Sequence, residues 1–376
     1  MKFVSSSTEL LSHLQTVSRV IGSKNTLPIL DCIHFNLSEN RLTVTASDLE
    51  TTMKSFLDLD NVDGEGVIAI PAKILIDILR GFSEQPLVFD INMDTFTVVI
   101  SSSNGRFSIV GQNGDDFPTL PEMNEEEQME VKISPEILIS GISKAVFATA
   151  EDELRPVMNG ILIELGEESV TFVASDAHKL VRYHRTDITP GSVKSFILPK
   201  KPANLLKNIL GKEAEDVTLT FDNKNAVFLL SDYKLVCRLV EGTYPNYSSV
   251  IPKNNPNKLT IDRLDFCNSL KRVSVFANQA TNLVKLDLAN GELTISAQDI
   301  DFSISATERL NCIYDGDPIT IGFKSLFLIE ILTNLPSSDV VMELSDPSRA
   351  GLLLPSQTDH EGEDILMLIM PMMINA

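Results

Sequence analysis

The chain has 376 residues, of which 43% are hydrophobic and 22% charged, and a formal net charge of −21. That composition excludes wholesale disorder, the length allows two or three domains, and the acidic excess argues against a simple polyanion binder. Four scattered cysteines (Cys32, Cys237, Cys267 and Cys312) form no CxxC pair. This excludes zinc-ribbon and thioredoxin-like motifs and fits a reducing cytosol. Glu9, His13 and Arg19 interrupt the first twenty residues, so no secretory signal is expected there. The longest apolar run, residues 365–374, is broken by Pro371 and is too short to span a bilayer. The expectation is a cytoplasmic protein.

In chain order the elements come in three rounds. The first opens with an amphipathic helix over 9–21, carrying Leu10, Leu11, Leu14, Val17 and Ile21 at three- and four-residue spacing. Alternating strands follow, one of them closing on Ala46-Ser47-Asp48. Ile70-Pro71-Ala72-Lys73 then opens a helix over 71–81, strands occupy 87–91 and 96–100, and Phe117-Pro118 ends the round. The second round has a helix over 134–150, started by Ser134 as N-cap with Pro135 in the first turn. It continues with a strand closing on Ala174-Ser175-Asp176, then Leu198-Pro199-Lys200-Lys201 with a helix over 199–212, and Tyr244-Pro245. The third has a helix over 262–278, Ala297-Gln298-Asp299, then Ile321-Gly322-Phe323-Lys324 with a helix over 324–335, and Met370-Pro371.

Asp48, Asp176 and Asp299 are 128 and 123 residues apart, and so are Lys73, Lys201 and Lys324; the prolines are 127 and 126 apart. Repeats of this length are domains rather than solenoid units. The expected boundaries are 1–122, 131–250 and 259–376. The linkers between them are the Pro-rich, polar stretches 119–130, with Pro121 and Glu125-Glu126-Glu127, and 251–258. Two helices and two sets of antiparallel strands per domain make an α+β fold, with helices on one face of the sheets.

Charge is segregated. The six predicted helices carry 12 Lys and Arg against 6 Asp and Glu, whereas the rest of the chain carries 19 against 46. Lys73 and Arg80 are seven apart on one helix face, as are Lys200 and Lys207, and Lys271 and Arg272 adjoin. Any one pair reads as an ordinary solvated face; the summed pattern points to a surface that meets phosphates without sequence readout. With no Trp, base stacking on single strands is not favoured.

Enzyme motifs are mostly absent. Gly211-Lys212 is followed by Glu213, so there is no P-loop, and no G-x-G-x-x-G, G-x-S-x-G or H-E-x-x-H occurs. No metal-ligand spacing is visible, and no cofactor is expected. Ser175-Asp176-Ala177-His178 mimics a triad, but one short turn does not aim three such side chains in line. Asp48 and Asp299 have no His two residues on, so Asp176 reads as a turn residue capping backbone N–H groups. A hydrolase using Asp176 and His178 is the alternative. A further one is a monomeric peptide-docking scaffold, since the terminal run through Met370, Met372 and Met373 is adaptable apolar surface.

The chain resembles the bacterial DNA polymerase III beta subunit family, the replicative sliding clamps, from Met1-Lys2-Phe3 to its last residues. The resemblance is carried by Thr26-Leu27-Pro28-Ile29-Leu30, Ser47-Asp48-Leu49-Glu50, Asn159-Gly160, Ser175 through Leu180, Phe117-Pro118, Tyr244-Pro245-Asn246-Tyr247 and Met370-Pro371-Met372. It implies a head-to-tail homodimer whose six clamp domains close a ring around duplex DNA. Helices line the hole, and the ring tethers the replicative polymerase, the clamp loader and other partners without chemistry of its own.

By position, the resemblance implies DNA contacts at Lys24, Lys73, Arg80, Arg155, Lys200 and Lys201. It places a partner-peptide pocket at Met158, Gly160, Ser175, Asp176, Ala177, His178, Lys179, Leu180, Pro245, Val250, Lys324, Phe327, Leu368, Ile369, Met370, Pro371 and Met372. It places the dimer seam at Ile74, Arg106, Ile109, Val275 and Phe276. The chain departs from the family pattern in four places. Met373 stands where Arg is usual and Asn375-Ala376 extend the end; Lys179 stands where Arg is common; Glu151 and Asp152 lie in a DNA-facing stretch; and the loop 356–364 is acidic.

Overall fold

A computed structural model describes residues 1–119, 123 and 127–374. Pro121, Glu125 and Glu126 of the expected first linker, and Asn375-Ala376, lie outside the described residues. The chain forms two compact units, one of residues 1–136 with 204–239 and one of residues 137–203 with 240–376.

Among the described residues six α-helices are found where the repeat predicts them, each shorter than the apolar periodicity implied. They are α1 (Ser7–Val17), α2 (Ala72–Arg80), α3 (Pro135–Ala145), α4 (Lys200–Leu210), α5 (Arg263–Ser274) and α6 (Ser325–Asn334). Helix α1 starts at Ser6, whose hydroxyl accepts the Glu9 N–H, and buries Leu10, Leu14 and Val17. Its last turn tightens into a 3₁₀ segment at Ser18–Val20, so Ile21 lies past the helix. Helix α5 is capped by Asp262, which accepts the Asp265 N–H at 2.7 Å.

Every strand pair among the described residues is antiparallel. The first unit holds a five-stranded sheet in the order Val62–Asp63, Lys2–Ser6, Pro86–Asn92, Thr97–Ser101, Arg106–Val110. It also holds a nine-stranded sheet, whose strand Thr51–Asp58 from the first repeat pairs with Tyr233–Arg238 from the second. The second unit repeats the device. In its nine-stranded sheet, Lys179–Arg185 of the second repeat pairs with Glu363–Ile369 of the third. A four-stranded sheet runs Ile304–Asn311, Glu292–Asp299, Leu283–Ala289, Ile319–Lys324. Apolar side chains alternate inward along these strands, as in Phe35, Val44 and Met53 of the first unit, all fully buried.

The stretch 251–258 is less of a linker than its composition implies. A strand begins at Asn257, and Asn255 and Asn257 are both buried. Their side-chain amides donate to the carbonyls of Glu343 and Ser345, so the polar residues that look like solvent-facing linker serve as internal backbone partners.

The acidic loop 356–364 also has a structural task. Glu363, its side chain fully buried, takes the Lys144 ammonium of α3 at 2.5 Å, and Asp364 pairs with Arg182. Burial by itself pushes the Glu363 carboxyl up, but the Lys144 hydrogen bond and charge, with the His360 N–H and the Arg185 charge, outweigh it and hold the group below the ordinary glutamate value. Stabilisation from a depressed carboxyl is present above the unfolded-state value of 4.5 and is lost as pH falls through the folded value. Lys144→Met is expected to cost about 3–5 kcal/mol at neutral pH by removing the ammonium that pairs with a buried carboxylate. In chemical denaturation the deficit narrows below pH 4.5 as Glu363 protonates; a deficit independent of pH would assign the loss to packing.

Candidate functional site

The turn after the strand Val170–Ser175 is built around one carboxylate. Asp176 Oδ1 accepts the N–H groups of His178 and Lys179 at 2.9 and 2.8 Å. Ser175 Oγ donates to the Lys179 carbonyl and accepts the Ala177 N–H. Asp48 caps Glu50 and Thr51 in the same way, and Asp299 caps Asp301 and Phe302. The turn-capping reading therefore holds in all three repeats. In this geometry Ala177 sits in the left-handed region at φ 73°, as Leu49 does at 77°. Ser175 and Asp176 are both engaged with backbone, and the His178 ring lies against Phe327 instead, with centroids 5.7 Å apart. No nucleophile–base pair forms, so the hydrolase reading has no support.

The same turn assembles a charged and aromatic rim. Lys179 Nζ reaches Asp176 Oδ2 at 2.8 Å and Glu330 Oε2 of α6 at 2.9 Å, and lies 4.5 Å from the centre of the Phe327 ring. Burial lowers the Lys179 ammonium, but the hydrogen bonds and charges of Asp176 and Glu330 more than offset it and hold the group above the ordinary lysine value. Lys324 approaches the same ring at 4.7 Å.

The C-terminal segment closes against this rim. The Met370 N–H donates to the His178 carbonyl and the Met372 N–H to the Gly322 carbonyl, both at 2.8 Å. Gly322 is required there, since a Cβ would meet the Met372 carbonyl oxygen at 2.8 Å. Met370 is 40% exposed and Met373 81% exposed, whereas Leu368 and Ile369 are buried.

Behind the rim lies an apolar cluster of Leu162, Val173, Leu180, Ile197, Leu352, Leu366 and Leu368, with Tyr244 and Tyr247 packed against it. Tyr247 donates its hydroxyl to Glu164 at 2.6 Å.

Most of the expected pocket residues therefore converge: Ser175 through Leu180, Lys324, Phe327, Leu368, Met370 and Met372. Leu180 and Leu368 belong there as buried members of the apolar cluster. Ile369 alternates with Leu368 to the other face, Met158 is buried and not part of that cluster, and Gly160 has no side chain, a Cβ there meeting the Leu198 carbonyl oxygen at 2.6 Å. Pro245 and Val250 are exposed. Sequence reading missed Glu330, Leu162, Val173 and Leu366. Strand alternation carries the signal for the last three, but Leu366 joins the other two only through Arg182, across a repeat boundary.

Of the expected DNA contacts, Lys24 is an exposed loop residue, Lys73 and Arg80 stand on the exposed face of α2, and Lys201 is exposed on α4. The two acids that depart from the family pattern engage the remaining cations. Glu151 pairs with Lys200 at 2.6 Å and Asp152 with Arg155 at 2.8 Å.

Of the expected seam, Ile74 and Val275 are 48% and 72% exposed, and Arg106 and Phe276 are also exposed. Ile109 is buried, because alternation on Arg106–Val110 turns it into its own sheet; the exposed apolar residues there are Phe107 and Val110. Arg106–Val110 and Ile304–Asn311 are open sheet edges.

Family models for the DNA polymerase III beta subunit match in series: the N-terminal domain at residues 1–121, the central domain at 132–246 and the C-terminal domain at 248–373. The chain belongs to the DNA polymerase III beta subunit family. It is 30% identical to the beta sliding clamp of Proteus mirabilis, over 92% of this chain and 94% of that one. It is 29% identical to that of Synechocystis sp., over 94% and 96%. Among solved structures, the griselimycin-bound sliding clamp of Bartonella birtlesii superposes with a TM-score of 0.91 at 26% identity, each chain fully covered. That of Pseudomonas aeruginosa superposes at 0.93 and 24% identity, again with each chain fully covered. The chain is thus a sliding clamp, a non-catalytic processivity factor of DNA replication. No helix among the described residues is long and apolar enough to cross a membrane.

Replacing Asp176 by Ala removes two backbone caps and one Lys179 partner from the clamp. The expected cost is about 2 kcal/mol, the usual size for hydrogen bonds to a charged group. Hydrogen exchange should show faster amides at His178 and Lys179; unchanged protection there would mean that the turn is held by its strands alone.

Proposed function

We propose that this clamp works as a head-to-tail homodimer in the cytoplasm, three clamp domains per chain with boundaries near 1–122, 131–250 and 259–376. It closes a ring on duplex DNA and tethers polymerase, loader and other partners through the site around Met370. The carrying observation is the convergence of the Asp176 turn, the Phe327 rim and the apolar cluster on one short methionine segment, its backbone held at Met370 and Met372 and its residues Met370 and Met373 exposed. An apolar floor with a few fixed polar groups suits a short peptide motif.

The open edges Arg106–Val110 and Ile304–Asn311 support the dimer, since an unpaired edge flanked by exposed Phe107, Val110, Ile300 and Phe302 is a ready template for strand addition. The cations of α2 and α4 support loose contact with phosphates. Pairing of Lys200 and Arg155 with their own acids weakens that contact. Retention on DNA then rests on topology, and sliding stays easy.

Clamp loaded onto nicked circular DNA with its loader and ATP is expected to stay bound, and to be lost when the circle is cut. Equal retention before and after cutting would mean ordinary affinity and would end the topological reading. Replacing Met370 and Met372 by Asp is expected to weaken binding of a polymerase peptide at least tenfold, measured by fluorescence anisotropy. The mass by light scattering should stay near twice 41.4 kDa. Unchanged peptide affinity would place the pocket elsewhere.

A further inference from the structure

The pairing that joins the first two repeats builds, in the first unit, a counterpart of the apolar cluster in the second. In the second unit Leu162, Val173, Arg182 and Leu366 share one register row, with Leu180 opposite Leu368 in a row beside it. The repeat offset of 128 carries Leu162, Val173 and Arg182 to His34, Thr45 and Lys54. These lie in one row with Lys234, and Thr52 lies opposite Val236 beside it. Tyr244-Pro245 corresponds to Phe117-Pro118, and the Phe117 ring lies 5.1 Å from that of His34. The framework of the groove is kept while its lining changes from leucine and valine to hydroxyl, imidazole and ammonium.

Space is present there. A cavity of about 340 Å³ bordered by His34, Lys54 and Phe117 shares Thr52 with a second of about 210 Å³ bordered by Val236 and Arg238. Lys54 and Lys234 are directly opposite each other, an arrangement that repels. Arg182, the counterpart of Lys54, is paired with Asp364, but Lys54 has no ion-pair partner among the described residues. Burial, and then Lys234, pushes the Lys54 ammonium below the usual lysine value. Asp115 and Glu50, the acids beside the groove, lie near His34 and Arg238.

We propose that this groove is a second peptide-docking site of the clamp, selective for an acidic side chain on an extended partner segment. The inference rests on the peptide reading of the Met370 site. An entering carboxylate relieves the repulsion between two lysines that the fold itself leaves uncompensated, and Phe117-Pro118 offers the apolar wall that Tyr244-Pro245 offers in the second unit. DNA is disfavoured as the occupant. Ser55, adjacent to Lys54 on the strand, bonds the His13 ring of α1, so Lys54 faces away from the helix side of the sheet.

The test is fluorescence anisotropy on the full-length clamp at low salt, with dye-labelled hexaglutamate and a hexaglutamine control. Hexaglutamate should bind at least tenfold more tightly than hexaglutamine. The double variant Lys54→Gln, Lys234→Gln should lose at least tenfold, while Lys201→Gln, Lys207→Gln stays within twofold. The Lys54/Lys234 variant should melt no lower than wild type, because it removes a repulsion; this separates lost binding from misfolding. No preference for hexaglutamate, no loss in the Lys54/Lys234 variant, or an equal loss in the Lys201/Lys207 variant would overturn the proposal. Displacement by inorganic phosphate at equal concentration would mark a small-anion site and overturn it too. The polymerase peptide should bind the Lys54/Lys234 variant as it binds wild type. If that peptide fails on wild type as well, the failure belongs to the reading of the Met370 site.

Discussion

Two antiparallel pairings between repeats organise the molecule: Thr51–Asp58 with Tyr233–Arg238, and Lys179–Arg185 with Glu363–Ile369. Each turns two small sheets into one sheet of nine strands, so that the edge of one repeat is covered by the next. The compact units consequently do not follow the repeats. A repeat of about 125 residues is a unit of sequence, but a backbone ladder that crosses the repeat boundary makes a unit of cohesion. The same pairings determine which side chains become neighbours. Leu180 meets Leu368, and Arg182 meets Leu366, only because the strands align in that register. A shift by one residue would turn every one of these side chains to the other face.

Much of this was legible in the chain. The Asp-turn marker after each strand predicted a backbone cap, and Asp48, Asp176 and Asp299 all make it. Helix positions followed from apolar spacing, with ends misplaced by the 3₁₀ turns that periodicity does not separate from α-helix. The charge on the helices was legible as composition, but its partners were not. Lys144, counted among the helix cations, is drawn to Glu363, and Arg263 donates to the carbonyls of Ser337 and Leu332. Those contacts cross 69 to 219 residues of sequence, and no local pattern encodes them. Asn255 and Asn257 mislead for the opposite reason, since a polar, Pro-rich stretch reads as linker whether its amides face water or a buried carbonyl.

The two grooves share a framework but not a chemistry. In the second unit a row of apolar residues is interrupted by one compensated cation, Arg182 with Asp364. In the first unit the row carries two opposed lysines, and only the strand pairing keeps them adjacent. Duplicated domains make such divergence easy, because the ladder hydrogen bonds that hold the framework come from backbone and are indifferent to the outward-facing side chains. The inward face tolerates much less: Phe35, Val44 and Met53 are apolar and fully buried, and the one polar residue opposite Val44, Ser55, is held by hydrogen bonds to the His13 ring and the Asp232 carbonyl.

The same separation of framework from surface accounts for the acids in the stretch proposed to face DNA. Glu151 and Asp152 look misplaced on a protein that must meet phosphates, yet each engages a neighbouring cation and leaves the strand pairings untouched. Exposed pairs of this kind contribute little to stability, typically under about 1 kcal/mol. Their effect is instead on the number of cations available to the backbone of DNA. Each phosphate contact removed lowers affinity and flattens its salt dependence. On the proposed ring, affinity beyond what is needed for centring is friction, and internal pairing of Lys200 and Arg155 would lower it without altering a helix.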